Sequence, residues 1–213
     1  MPESGYQAWE PVSFAGARLD AHRHVCAFVQ SRSEAYRMLD PFILEGIARG
    51  EKVSCIVDPA ERVGWVSHYR QQGLQLPQLL ESGQFELSTW SETHLQGGRF
   101  DPDAMLRLSA EQMERSPFQR IRMVSDMGWA VHYQGSRDLV AYEARANMLV
   151  AKHQHVVICV YDAAKFGGDV ILNILRTHPL VLLGGILHAN PYFVPPEQFL
   201  AELEGDVLEW HRA

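Results

Sequence analysis

His24-Val25-Cys26-Ala27-Phe28-Val29-Gln30-Ser31-Arg32-Ser33-Glu34-Ala35 is the stretch that decides the architecture of this chain. Its first six residues are apolar at nearly every position, as a strand covered on both faces must be. Ser31-Arg32-Ser33-Glu34 then has the spacing of a capping box, where a serine and a glutamate satisfy the first N–H groups of a helix. Ala35, Met38, Leu39, Phe42, Ile43 and Ile47 recur at three and four residues, so an amphipathic helix follows. Gly50 is placed to end it, and Pro41 predicts a kink or a restart with Asp40 as cap. A buried strand running into such a helix is the repeating unit of a parallel sheet with helices on its faces.

The same alternation continues outward. Strands are expected at His24–Val29, Lys52–Val57, Gln84–Leu87, Arg120–Val124, His155–Tyr161, Leu180–Leu183 and Ile186–His188. The last two flank Gly184-Gly185, which suits a tight hairpin and an antiparallel edge. Asp101-Pro102 opens a helix toward Met113, Ser136 opens another through Val150, and a third runs from about Gly168 to Thr177 before Pro179. These elements predict a three-layer α/β/α fold with a mostly parallel sheet. Its expected core holds Val25, Phe42, Ile56, Leu106, Val124, Leu139, Val157 and Ile174. Residues 1–19 lack periodicity and read as an N-terminal arm. Residues 20–196 form the main domain, and 197–213 an amphipathic C-terminal helix with Phe199, Leu200, Leu203, Val207 and Trp210 along a stripe. That helix either packs on its own domain or binds a partner.

Composition narrows the functional classes. The 213 residues carry a net charge of −7, 46% hydrophobic and 21% charged residues, which is a globular composition. An acidic balance argues against nucleic acid as the direct partner. No apolar run approaches the ~20 residues of a membrane span. Residues 1–20 contain Glu3, Glu10 and Asp20 and no continuous apolar stretch, which argues against a signal peptide. Cys26, Cys55 and Cys159 each sit in a β-branched apolar run and are odd in number, so they read as reduced, buried thiols in the cytoplasm.

The ordered series of motifs resembles the MEDS sensory domain of dichloromethane-responsive regulators of methylotrophs and of regulators of methanogens. The matching stretches begin with His24-Val-Cys-Ala-Phe28, Phe42 through Gly50-Glu51-Lys52, Gly83-Gln84-Phe85 and Gly98-Arg-Phe-Asp-Pro102. They continue with Asp126-Met-Gly-Trp129, Tyr142-Glu-Ala-Arg145 with Asn147, Cys159-Val-Tyr-Asp162, Thr177-His-Pro179 and His188-Ala-Asn-Pro-Tyr192. The resemblance spans about Leu19 to Pro196. It implies a degenerate RecA/KaiC-like fold and recognition of a small organic molecule. In such ATPases a glycine-rich loop with lysine follows the first strand and cradles phosphate. Here Gln30–Glu34 has neither glycine nor lysine, and Glu34 would repel phosphate, so ATP hydrolysis is not expected. Arg32 remains available for an anion. Asp126 stands where a Walker B carboxylate would hold Mg²⁺ in those relatives.

His24 and Cys26 share one face of a strand, as do Cys159 and Tyr161, and thiolate with imidazole suits zinc. No CxxC or HxxxH spacing accompanies them, so hydrogen-bonded histidines and buried thiols are favoured over a metal. His24, Cys26 and Cys159 are the candidates if one binds. No G-x-S-x-G elbow or helix-start cysteine supports a nucleophile. Ligands of open α/β sheets bind beyond the carboxyl ends of the strands. Phe28, Trp129 and Tyr161 are therefore expected as apolar wall of a ligand site, with Gln30, Asp126 and Arg145 as polar anchors, and no cofactor. The leading expectation is a non-enzymatic sensory module for a small, largely apolar ligand. With no room for an output domain in 213 residues, it would signal through self-association, such as a homodimer, or a regulatory protein partner. A RecA-like nucleotide-binding remnant or enzyme, and a protein-interaction module without ligand, are the alternatives.

Overall fold

A computed structural model describes residues 11–19, 23–133 and 137–210, with side chains up to residue 205. The chain begins with a short hairpin, β1 (Val12–Phe14) and β2 (Ala17–Leu19), then β3 (His24–Val29), α1 (Arg32–Ala48) and β4 (Lys52–Val57). It continues through α2 (Arg62–Gln71), α3 (Leu76–Glu81), β5 (Phe85–Thr89), α4 (Pro102–Arg115) and β6 (Ile121–Asp126). A short 3₁₀ stretch (Gly128–Tyr133) leads to α5 (Arg137–Val150), β7 (Val156–Asp162) and α6 (Gly168–Thr177). The hairpin β8 (Leu180–Leu183) and β9 (Ile186–Ala189) and the helix α7 (Pro196–Trp210) complete the described chain. Ser136, expected to open α5, and His211 lie outside the described residues.

One sheet carries the strands in the order β5-β4-β6-β7-β3-β8-β9, parallel throughout except for the β8–β9 pair. Strand parity divides the core into two halves. Val25, Ala27 and Val29 of β3 face α1, α2 and α3, while Cys26 and Phe28 face α4, α5 and α6. Of the expected core residues, Val25, Phe42, Ile56, Val124, Leu139, Val157 and Ile174 are buried and Leu106 is partly buried. The architecture is the expected three-layer α/β/α sandwich.

Local signals act where the sequence put them. Ser31 Oγ accepts from Glu34 N, and Asp101 Oδ1 accepts from Ala104 N at the start of α4. Gly184 and Gly185 both have positive φ (56° and 83°), the conformation a two-residue hairpin turn requires. Pro41 does not restart α1, which is one helix. Asp40 instead receives a hydrogen bond from His68 Nε2 at 2.8 Å. Residues 12–19, expected within an arm, form the β1–β2 hairpin that packs on α1. Val12, Phe14 and Leu19 are buried there, with the Phe14 ring 5.1 Å from that of Phe42. Three-residue strands carry too little periodicity to be read from sequence. The helix α7 packs against α5, where Phe199 meets Val140 and Ala144, and the Arg176 guanidinium stacks on its ring.

Candidate functional site

Parallel strands all end on one edge of the sheet, and there β3, β4, β6 and β7 release the chain into a cleft of about 230 Å³. Val29, Val124 and Val160 form its floor, and Ala35, Tyr36 and Leu39 of α1 with Trp65 of α2 form an apolar wall. Asp58, Glu61, Asp126 and Asp162 also line it, with Arg32 and Lys165. Both cations are engaged at its rim: Arg32 with Glu61, and Lys165 Nζ with Asp162 Oδ2 at 3.3 Å. Four carboxylates therefore face two cations, which repels a polyphosphate and favours a cationic or hydrogen-bond-donating group.

The loop that enters α1 is self-satisfied. Gln30 N donates to Glu34 Oε2 at 2.8 Å, so the carboxylate of Glu34 occupies a backbone N–H at the helix start, where an anion would otherwise bind. Arg32, considered for an anion from sequence, pairs with Glu61 instead.

Asp126 lines this cleft. Its Oδ1 accepts from Gly128 N at 2.7 Å, a contact that needs glycine, since a Cβ there would lie 2.9 Å from both Asp126 Oδ1 and the Trp90 ring. Burial pushes the Asp126 carboxyl up to about 6, the Gly128 N–H opposing, and Asp58 and Asp162 adding to the rise against Lys165. The folded protein therefore holds this proton more tightly than the unfolded chain, and stability attributable to Asp126 falls as pH rises from about 4 to about 6. At ~1.4 kcal/mol per pK unit, reduced by its partial contact with water, ionised Asp126 costs about 1–2 kcal/mol at neutral pH. Asp126→Asn, which keeps the Gly128 bond, is expected to be more stable than the parent by that amount at pH 7–8. The advantage should vanish as pH falls from 6 to 4 in urea titrations. A pH-independent difference would show that Asp126 does not carry it.

Most of the other expected site residues lie elsewhere. Phe28 and Tyr161 face α4, α5 and α6, with ring centroids 5.9 Å apart, and the Tyr161 hydroxyl donates to Glu143 Oε1 at 2.8 Å. Trp129 is 1% exposed and packs among His94, Phe100 and Tyr133. Gln30 is exposed and contributes its backbone N–H to Glu34. Arg145 pairs with Asp103 on the surface at 2.7 Å. Cys26 and Cys159 are register partners across β3 and β7, and His24 Nε2 lies 3.4 Å from Cys159 Sγ. Burial pushes all three thiols, Cys55 included, well above their ordinary range. Tyr36, Trp65, Glu61 and Lys165 were not singled out from sequence. Tyr36 and Trp65 are helix-face aromatics that core packing explains equally well, and only the fold shows that they reach the cleft.

A mostly parallel sheet in this order, flanked by helices on both faces and with its cleft beyond the strand ends, defines an α/β domain of RecA/KaiC-like fold. Among solved structures, the flagellar accessory protein FlaH from Methanocaldococcus jannaschii superposes with a TM-score of 0.54 at 11% identity, over 83% of this chain and 81% of that one. That likeness is one of fold. The profile of the MEDS family, the methanogen/methylotroph DcmR sensory domain, matches residues 23–179, and the chain belongs to that family. A search of curated proteins finds no match.

Proposed function

We propose that this sensory domain binds a small organic molecule in the cleft beyond β3, β4, β6 and β7, without catalysing its conversion. The observation that carries this reading is the cleft itself, which combines the apolar side chains of Tyr36, Leu39 and Trp65 with the carboxylates of Asp58, Asp126 and Asp162. Its volume of about 230 Å³ falls below the ~300–1,000 Å³ of drug-sized sites, which favours a small ligand. The ligand is mostly apolar, with a basic or hydrogen-bond-donating head toward the carboxylates. Output passes through a regulatory partner or self-association in the cytoplasm. The exposed Leu183 and Ile186 on the β8–β9 edge hairpin support such a contact. Among the described residues no helix is long and apolar enough to cross a membrane.

A thermal-shift screen of small amines and alcohols tests the reading. Binding to the native state alone stabilises it by about 2.7 kcal/mol at a hundredfold excess over Kd. Ala35→Phe, which fills the cleft from α1, is expected to abolish the shift while leaving the unliganded Tm near that of the parent. Stabilisation that survives in a folded Ala35→Phe protein would locate the ligand elsewhere. Mg²⁺-ATP is expected to be neither hydrolysed nor stabilising, and hydrolysis lost on Asp126→Asn would instead favour the enzyme reading.

A further inference from the structure

On the opposite face of the sheet, beneath α5 and α6, four side chains from four separate segments converge. They are His24 of β3, Glu143 of α5, Cys159 of β7, and His178, which follows α6. All are buried, and one potential ligand atom from each lies within 4.8 Å of the other three. Nothing in the sensory reading uses them. We propose that His24 Nε2, Glu143 Oε2, Cys159 Sγ and His178 Nε2 form a structural Zn²⁺ site.

Geometry carries the assignment. A tetrahedral zinc with Zn–S about 2.3 Å, Zn–N about 2.0–2.1 Å and Zn–O about 2.0–2.2 Å has ligand–ligand edges of about 3.3–3.6 Å. The His24–Cys159 edge is 3.4 Å, His24–Glu143 is 3.6 Å, His178–Glu143 is 3.5 Å and Cys159–Glu143 is 3.9 Å. Three of these edges match the tetrahedral values, the fourth is slightly longer, and the remaining two are within 4.8 Å, so small side-chain shifts would close the four atoms on one ion.

The surrounding bonds leave the ligand atoms free for a cation. His178 Nδ1 lies 2.8 Å from Ile174 O, which only accepts, so Nδ1 carries the hydrogen and the Nε2 lone pair points inward. That Nε2 has no hydrogen-bond partner and lies 3.5 Å from Glu143 Oε2 in the dry interior. A cation between them would take a lone pair from each. Tyr161 OH binds Glu143 Oε1 and leaves Oε2 for the metal, an outer-shell contact of the kind that orients a ligand. One thiolate and one carboxylate balance the dication, so the buried assembly is neutral. Imidazole and carboxylate donors suit zinc better than copper(I), and four protein ligands close the site as structural zinc requires. Zinc there ties β3, α5, β7 and the start of β8 together. The site stands whether or not the cleft binds a ligand.

The test uses the full chain without a polyhistidine tag, analysed for metal after dialysis against Zn²⁺ and gel filtration. About one zinc per chain is expected, and its removal by a strong chelator should lower Tm, with Zn²⁺ alone restoring it. Exchange with Co²⁺ should give the intense visible bands of a tetrahedral ion and a thiolate-to-cobalt charge-transfer band. Cys159→Ser and His178→Gln are expected to lose zinc about tenfold or more, and Cys55→Ser to retain it. If the site variants do not fold, the cobalt spectrum of the parent chain decides. Less than about a tenth of an equivalent of zinc, cobalt bound without a thiolate band, or full zinc in a folded Cys159→Ser protein would each overturn the assignment.

Discussion

Arg122→Ala is expected to cost about 3–5 kcal/mol, because it strands a buried carboxylate rather than removing a surface charge. Arg122 is fully buried on β6, and its Nε donates to Glu51 Oε2. Its Nη1 donates to Phe42 O and Glu45 Oε2, each at 2.8 Å, and the guanidinium stacks on the Phe42 ring at 4.9 Å. Glu51 also accepts from Arg120 Nη1 at 2.8 Å, so truncation at 122 leaves one of its oxygens without its donor in the core. Against a total stability of about 5–15 kcal/mol such a loss leaves a marginal fold. Urea denaturation measures it directly, and Arg122→Lys, which keeps a cation in the core beside Glu51 and leaves the Arg120 pair intact, should lose less than Arg122→Ala. A single-variant loss under about 1 kcal/mol would show that this network does not hold the sheet to α1. The same packing explains Gly46, where a Cβ would come within 2.7 Å of Arg122 Cδ.

Trp129→Ala is the second large effect, about 3–5 kcal/mol, and it distinguishes a core aromatic from a ligand wall. The indole lies 4.5 Å from Phe100, 4.8 Å from His94 and 5.8 Å from Tyr133 between ring centroids. Burial holds His94 down to about 3, so a neutral imidazole packs against it at physiological pH. Trp129 Nε1 has no hydrogen-bond partner among the described residues. Trp129→Phe therefore gives up some contact area but also removes an unsatisfied donor, and should retain most of the stability. Compounds that stabilise the parent through the cleft should stabilise Trp129→Phe equally. If their effect disappears in that folded variant, Trp129 touches the ligand and the cleft assignment fails.

The signals that were legible in the sequence are those a segment carries alone. Apolar runs on both strand parities placed β3, β4, β6 and β7, and the capping serine and aspartate placed the starts of α1 and α4. The missing glycine and lysine between Gln30 and Glu34 were equally plain, because a phosphate cradle is a contiguous motif. Helices α2 and α3, and the hairpin at residues 12–19, escaped notice because they are short and their burial comes from α1 and the sheet. Asp126 was found as a strand-end carboxylate. Trp129, Phe28 and Tyr161 were placed by proximity in sequence to that end, but one residue of strand or turn sends a side chain to the other face.

What the sequence determined by itself was the α/β architecture, through patterns of period two and 3.6 that any matching partner would satisfy. Tertiary structure alone decided which polar residues meet. Arg122 reaches Glu51 across 71 positions, and His24 reaches Cys159 across 135. Glu143 and His178 belong to two of the motif stretches, but 35 positions separate them and nothing local to either points to the other. No local pattern records such pairings, because the crossover order of the sheet sets the distances between segments, and a buried ligand or ion pair exists only once that order is formed.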